Sequence, residues 1–182
     1  MSRLIGFSGY ARSGKDTAVQ VLHTEGYQRV AFADIMRTFA ERLDPIVHSD
    51  PTGPIRLAKV INYWGWDGYK ESIYRDEIRG LLQRLGTDCG RELLGDNIWV
   101  DSAFSGLDPD RRYAFADCRF INEADAIRSR GGIVIRIERP GIGPANAHPS
   151  ETSLDGYRFD YVVQNDDSHE VLRQKLVRIL HG

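Results

Sequence analysis

Gly9-Tyr10-Ala11-Arg12-Ser13-Gly14-Lys15-Asp16-Thr17 follows the apolar run Leu4-Ile5-Gly6-Phe7 and precedes a helical pattern with Ala18, Val21 and Leu22 on one face. A strand, a tight glycine-bearing loop and a helix start are the three parts of a phosphate-binding loop. Gly9 and Gly14 let the backbone turn and bring its N–H groups to an anion without interference from a Cβ. The helix N-terminus adds partial positive charge, and Lys15 is placed to sit between the β- and γ-phosphates of a nucleotide. The strict pattern asks for Ser or Thr directly after the lysine, and this chain has Asp16 there and then Thr17. The alternative is a plain glycine-bearing strand-to-helix turn with an exposed lysine. It is disfavoured because the strand and helix that the motif requires are both present.

The rest of the composition narrows the class. At 182 residues the chain fits one well-buried domain, and its 41% apolar and 27% charged content is that of a globular protein. A net charge of −2 provides no global field for nucleic acid or anionic membrane, so anion binding falls to local basic clusters. Cys89 and Cys118 lie far apart without CxxC spacing and are expected to be reduced thiols of a cytoplasmic protein, forming neither a disulfide nor a metal site. The chain enters a strand almost at once, which leaves no room for a signal peptide, and no apolar run approaches a membrane span.

Along the chain, Tyr27–Phe32 reads as a second strand. A helix follows with Ile35, Met36, Phe39, Ala40 and Leu43 on one face and Asp34 as its expected N-cap. Pro45, Pro51, Gly53 and Pro54 mark 44–57 as irregular. An aromatic stretch, Tyr63 to Lys70, precedes an amphipathic helix with Ile78, Leu81, Leu82, Leu85 and Cys89 on one face. Asp96 and Asn97 are placed to cap a helix bearing Ile98, Val100 and Phe104. Tyr113–Ala116 reads as a third strand, Asn122–Arg130 as a helix closed by Gly131-Gly132, and Ile133–Ile137 as a fourth strand. Residues 138–152 form a loop rich in Gly and Pro, Tyr161–Val163 a fifth strand, and Asn165 to Ser168 lead into a closing helix. Five strands separated by helices predict an α/β fold, a parallel sheet flanked by helices on both faces, with ligands at the strand C-termini.

Three clusters fall at those termini: the loop after strand one, Asp117 to Arg119 after strand three, and Arg139 after strand four. Asp117 stands where a carboxylate organises Mg²⁺ beside a phosphate, with Thr17 as the hydroxyl partner; the competing reading is a helix N-cap. Arg119 offers two parallel donors to a phosphate, which an ammonium does not. Arg139 opens the long loop, read as a lid that expels water from a transferring phosphoryl group. His148 is read as a polar lid contact. Trp64, Trp66 and Tyr69 fit either a wall for a nucleobase or core packing.

Arg12-Ser13-Gly14-Lys15-Asp16-Thr17 resembles the loop of bacteriophage deoxynucleoside monophosphate kinases, in which Asp commonly follows the lysine. Similar stretches recur in order: Phe32-Ala33-Asp34, Leu82-Gln83-Arg84-Leu85-Gly86-Thr87-Asp88 with Arg91, Asn97-Ile98-Trp99-Val100, and Asp117 to Glu123. Gly131-Gly132, Glu138-Arg139-Pro140-Gly141, His148-Pro149-Ser150-Glu151 and Asn165-Asp166 complete the likeness, which spans nearly the whole chain. The resemblance implies a P-loop NTPase core over 1–32 and 106–182, a helical acceptor-binding insertion at about 33–105, and a lid at about 138–152. It implies ATP held by Gly9, Arg12, Ser13, Gly14, Lys15, Asp16 and Thr17, with Arg139 reaching the donor and Asn165 lying beside the adenine. Mg²⁺ is implied at Asp16, Thr17 and Asp117. Asp34, Arg37, Gln83, Arg91 and Arg119 are implied on the acceptor side, and Lys15, Arg119 and Arg139 in catalysis.

The function expected is ATP-dependent phosphorylation of deoxynucleoside monophosphates, with small nucleotides as partners and neither nucleic acid nor membrane; a homodimer stays open. The nearest alternative is another small-molecule kinase of this fold, acting on dephospho-coenzyme A or phosphomevalonate. A non-catalytic nucleotide-binding regulator is disfavoured by arginines at two strand ends, and a nucleic-acid motor by the missing basic stripe.

Overall fold

The computed structural model describes residues 3–145 and 149–182. The chain divides into two compact units, Met1–Phe32 with Ala103–Gly182, and Ala33–Ser102.

The first unit is built on β1 (Leu4–Ser8), β2 (Tyr27–Val30), β5 (Arg112–Phe115), β6 (Ile133–Glu138) and β7 (Tyr161–Gln164). They form one five-stranded sheet in the order β2-β5-β1-β6-β7, and each neighbouring pair is parallel. Ile5 and Phe7 of β1, Ile135 and Ile137 of β6 and Ala114 of β5 are buried with Ala18, Val19 and Leu22 of helix α1 (Lys15–Thr24) and Leu172, Leu176 and Leu180 of the closing helix α9 (His169–His181). Helix α7 (Ile121–Ser129) buries Ala124 and Ile127 and stops where Gly131 adopts φ 77°. Ser168 caps α9 by accepting from the Val171 amide. Because β1 lies between β5 and β6, the loops after these three strands emerge side by side.

Helix α2 (Phe32–Leu43) begins two residues before Asp34, its expected cap. A carboxylate from 85 residues away does that work: Asp117 Oδ1 accepts the Phe32 amide at 2.8 Å. A strand-end side chain thus starts the helix, and Asp34 lies in its first turn.

The second unit departs further from expectation. Residues 44–57 are not irregular; they hold an antiparallel ribbon, β3 (Ile46–Asp50) with β4 (Gly53–Arg56). Asp50 accepts from both the amide and the hydroxyl of Thr52, and Gly53 at φ 124° completes the turn. Prolines are tolerated because a two-stranded ribbon uses only one edge of each strand. Helix α3 (Leu57–Gly68) kinks at Gly65, and a single 3₁₀ turn (Tyr69–Glu71) leads to α4 (Arg75–Arg84). Instead of continuing to Cys89, α4 widens into a π-helical segment, Leu85–Arg91, before α5 (Glu92–Leu94) and α6 (Ile98–Ser105). The extra residue per turn rotates the face, so Cys89 is exposed and Gly90 is buried in its place. Trp99 packs there, its indole N–H donating to the Gly86 carbonyl at 2.9 Å. The unit's core joins Ala40, Ile55, Leu57, Val60, Ile61, Tyr69 and Ile78.

A Cβ on Gly90 would stand 2.5–2.7 Å from three atoms of the Trp99 indole. Gly90→Ala is therefore expected to lower unfolding free energy by about 1–3 kcal/mol, read from urea denaturation, with partial recovery when combined with Trp99→Phe. An unchanged urea midpoint for the single variant would contradict this packing.

Candidate active site

The phosphate loop is defined by two places where a side chain has no room. Gly9, at φ 136°, lies against the Ile137 carbonyl, and Gly14, at φ 106°, lies against the side-chain amide of Asn165. Asn165 is buried beside Gly14: its Nδ2 donates to the Ser13 carbonyl at 2.8 Å and its backbone N–H to the Glu138 carbonyl at 2.6 Å. The ends of β1, β6 and β7 are thereby tied to one another through the loop. Arg12 takes a left-handed φ of 67° and is exposed. Ser13 is 1% exposed, and its hydroxyl has no partner among the described residues. It lines a cavity of about 240 Å³ with Tyr10, Ile137, Glu138, Arg139, Pro140, Ile142 and Gln164. Arg139 itself is exposed at the rim.

Gly14 opens α1, so the helix N-terminus points at the loop, with Asp16 and Thr17 in the first turn. Lys15 folds back and donates to the carbonyls of Gly9 at 2.6 Å and Tyr10 at 2.8 Å. Burial and, next, the charge of Arg119 pull its pKa down from 10.5 to about 8, against the opposing pull of Asp16, Glu151 and Asp117. These five charged groups, which the sequence spreads from Lys15 to Glu151, therefore share one neighbourhood.

Arg119 owes its position to Glu123, a buried carboxylate the sequence reading passed over. Glu123 Oε2 accepts the backbone amides of Arg119 at 2.7 Å and Phe120 at 3.1 Å, fixing the turn from β5 into α7. The signal was available: Glu three residues after a helix cap is the acidic half of a capping box. Glu151 was passed over too. The expected loop 138–152 contains a one-turn helix, α8 (Pro149–Thr152), and from it Glu151 brings a carboxylate that is 10% exposed to within 3.6 Å of Arg119 Nη1. Nearby, Tyr10 donates its hydroxyl to Asp155 at 2.8 Å while the Arg136 guanidinium lies 4.8 Å from its ring centre. His148 lies outside the described residues.

The remaining expected residues belong to the second unit. Arg37 pairs with Asp34 at 3.5 Å and lies 5.5 Å from the Trp66 ring centre, and the Trp66 indole donates to Glu41. Gln83 is half-buried in the last turn of α4, and Arg91 donates to the Asp96 carbonyl at 2.9 Å from the end of the π-helical segment. Of the three aromatic residues left open by the sequence, Tyr69 is core and Trp66 packs against it. Trp64 lines an open depression with Tyr63, Tyr74 and Lys59.

No group of three or more His, Cys, Asp or Glu side chains suited to a metal occurs among the described residues. Thr17, Asp16 and Asp117 supply oxygen donors only, which suits a hydrated Mg²⁺ that takes the rest of its shell from water and phosphate. Nor does any described helix have the length and apolarity to cross a membrane.

Residues 56–176, more than half of the chain, match the family model described as deoxynucleotide monophosphate kinase. The chain belongs to that family. It is 30% identical over 195 residues to a putative deoxynucleotide monophosphate kinase of Acanthamoeba polyphaga mimivirus, an alignment covering 96% of this chain and 94% of that protein. It is 34% identical to the deoxynucleotide monophosphate kinase of Escherichia phage RB69 over 109 residues, and to that of Enterobacteria phage T4 over 111. Each of these matches spans 57% of this chain and less than half of the phage protein, 44% and 45% respectively. Among solved structures, dephospho-CoA kinase from Campylobacter jejuni superimposes with a TM-score of 0.55 at 12% identity, covering 99% of this chain and 96% of that one. That likeness is one of fold. The α/β fold with its five-stranded parallel sheet, the family and the kinase class expected from the sequence all hold.

Lys15 gives this family member a measurable pH response. A lysine whose folded pKa is about 8 is largely charged below that pH and neutral between it and the usual 10.5, while the unfolded chain stays protonated there. Stability of the ligand-free fold therefore gains from this group as pH rises through that window. Phosphate binding runs the other way, because an anion favours charged lysine and must recruit a proton above pH 8. ATP affinity is expected to be flat from pH 6.5 to 7.5 and to fall by about tenfold per unit above 8. Calorimetry in two buffers of different ionisation enthalpy should read net proton uptake at pH 9; affinity constant to pH 9.5 with no uptake would contradict it.

Proposed function

We propose that the chain transfers the γ-phosphoryl group of ATP to the phosphate of a deoxynucleoside monophosphate, giving ADP and the diphosphate. The observation that carries this reading is the pairing, in a member of this family, of a helix-mounted loop lysine with Arg119 at the end of the adjacent strand. Two cations brought into one neighbourhood, the lysine pKa held down first by burial and then by the arginine's charge, are what a reaction between two phosphates requires. A protein that only held a nucleotide would gain nothing from the second cation.

In this reading the amides of Gly9 to Lys15 and the α1 N-terminus hold the donor phosphates, and Lys15 leaves its two carbonyl partners to follow the transferring group. Arg119 takes the acceptor phosphate, and Arg139 faces the donor from the rim of the cavity. Asn165 holds the loop from beneath. Mg²⁺, when bound, neutralises phosphate charge; Thr17, Asp16 and Asp117 are the residues that would hold it. Asp34, Arg37, Gln83 and Arg91 are the further candidates for acceptor binding that the family resemblance implies. An acceptor phosphate oxygen forms the new bond to phosphorus as the bond to the ADP oxygen breaks, and the electron pair leaves with ADP. The nucleophile is already anionic, so no general base is needed; catalysis is positioning and charge neutralisation. Residues 138–152 act as the lid.

A panel of deoxynucleoside and nucleoside monophosphates, dephospho-coenzyme A and phosphomevalonate with Mg·ATP tests the substrate class, and turnover restricted to the last two would overturn it. Lys15→Ala is expected to cut turnover by at least ~10²-fold in a folded protein. Arg119→Met should leave ATP binding without acceptor nearly unchanged and raise the acceptor KM while lowering kcat. Lost ATP affinity with normal acceptor kinetics would put Arg119 on the donor side instead.

A further inference from the structure

Glu151 meets Arg119 in a loose ion pair although its carboxylate is far less exposed than those of the other loose pairs of the first unit, Arg3–Asp110, Arg111–Asp108 and the two pairs of Arg136. Two pairs of this unit are tight and two-pronged. Arg128 donates to both oxygens of Asp160 at 3.0 and 2.7 Å, and Asp160 also accepts the Val134 amide. Arg173 grips Glu170 at 2.9 Å through two nitrogens. Glu151 instead approaches Arg119 through one nitrogen at 3.6 Å, beyond hydrogen-bond reach, although its side chain is only 10% exposed. A largely buried carboxylate without a tight partner is costly unless a field compensates it. The field is supplied by Arg119 and Lys15, the two cations that disfavour one another.

We propose that Glu151 is an electrostatic placeholder for the phosphate that Arg119 receives: its carboxylate balances Arg119 and Lys15 in the ligand-free protein and gives way when the phosphate arrives. This rests on the kinase reading of the same site. A phosphate brings more charge and enough acceptor oxygens to take two parallel bonds from the guanidinium, which the single loose approach of Glu151 leaves available. Once it is bound, a carboxylate at that spot faces a like charge. Glu151 stands on α8 (Pro149–Thr152). The exchange also makes the site selective, because an anion must outcompete a resident carboxylate to enter.

The test uses the whole chain and inorganic pyrophosphate as probe, titrated calorimetrically at pH 7 and at two salt concentrations. Glu151→Gln keeps the shape and removes the charge. It is expected to bind pyrophosphate about 5- to 30-fold more tightly than the parent chain. In steady state, the same variant should show a lower acceptor KM. Glu170→Gln, which removes an equal charge on α9 away from the site, is the control and should bind pyrophosphate as the parent does. Circular dichroism melts of each variant verify folding, and Glu151→Ala provides a second charge-removing variant should the first melt early. If the parent binds pyrophosphate and both Glu151 variants bind it equally or more weakly, or their acceptor KM rises, Glu151 orients Arg119 and the placeholder is overturned. A parent chain that binds no pyrophosphate overturns the kinase reading itself, which separates the two failures.

Discussion

A single hydrogen bond, from the side-chain amide of Asn165 to the carbonyl of Ser13, sets the geometry on which the site depends. A phosphate loop works only if its N–H groups converge, and nothing within the loop's own sequence compels that. Convergence comes from outside: Asn165 after β7 pulls the Ser13 carbonyl inward, and the Ile137 carbonyl on β6 fills the space behind Gly9. The glycines of the motif are thus required twice. They permit the left-handed backbone, and they leave room for the neighbours that enforce it.

On that frame the site carries a charge problem. The charges of Lys15 and Arg119 oppose one another, and burial of Lys15 sharpens the cost. The chain answers with carboxylates drawn from three places: Asp16 from the helix itself, Asp117 from the end of β5 and Glu151 from α8. Asp117 serves the fold as well, since one of its oxygens starts α2 by accepting the Phe32 amide. The same side chain acts on the charge of Lys15 and starts a helix, so replacing it loosens that helix start. Glu123 does related work one turn on, with its buried carboxylate shaping the backbone that presents Arg119.

The second unit shows how a local departure from regular helix can be built in. The π-helical turn at Leu85–Arg91 lets Gly90, rather than Cys89, face Trp99. Gly86 contributes its carbonyl to the same indole. Gly86 belongs to the stretch Leu82–Asp88 that carries the family likeness, and a Cβ there would lie 2.9 Å from the Met36 sulfur.

Local chemistry was legible along the chain. Alternating apolar runs and helical periodicity gave the five strands and their flanking helices, because each element must bury one face. The spacing of Gly9, Gly14 and Lys15 gave the phosphate loop, because only glycine turns that tightly. What stayed hidden was every contact made at long range. Asp34 reads as a cap by its neighbours, yet Asp117 caps the helix. Residues 44–57 read as irregular by their prolines, yet they pair as a ribbon. Cys89 reads as core by a period of 3.6, yet the helix changes its period before reaching it. Glu123 and Glu151 have no role assigned by their neighbours in sequence, yet Glu123 lies buried beneath the Arg119 backbone and Glu151 half-buried beside its guanidinium. In each case the deciding partner lies on another element or on a neighbouring turn that sequence spacing alone does not bring near. The sequence by itself determined which residues are able to turn, bury or carry charge. The tertiary structure decided which charges meet, because electrostatic energy depends on distance in space and on the water excluded between groups.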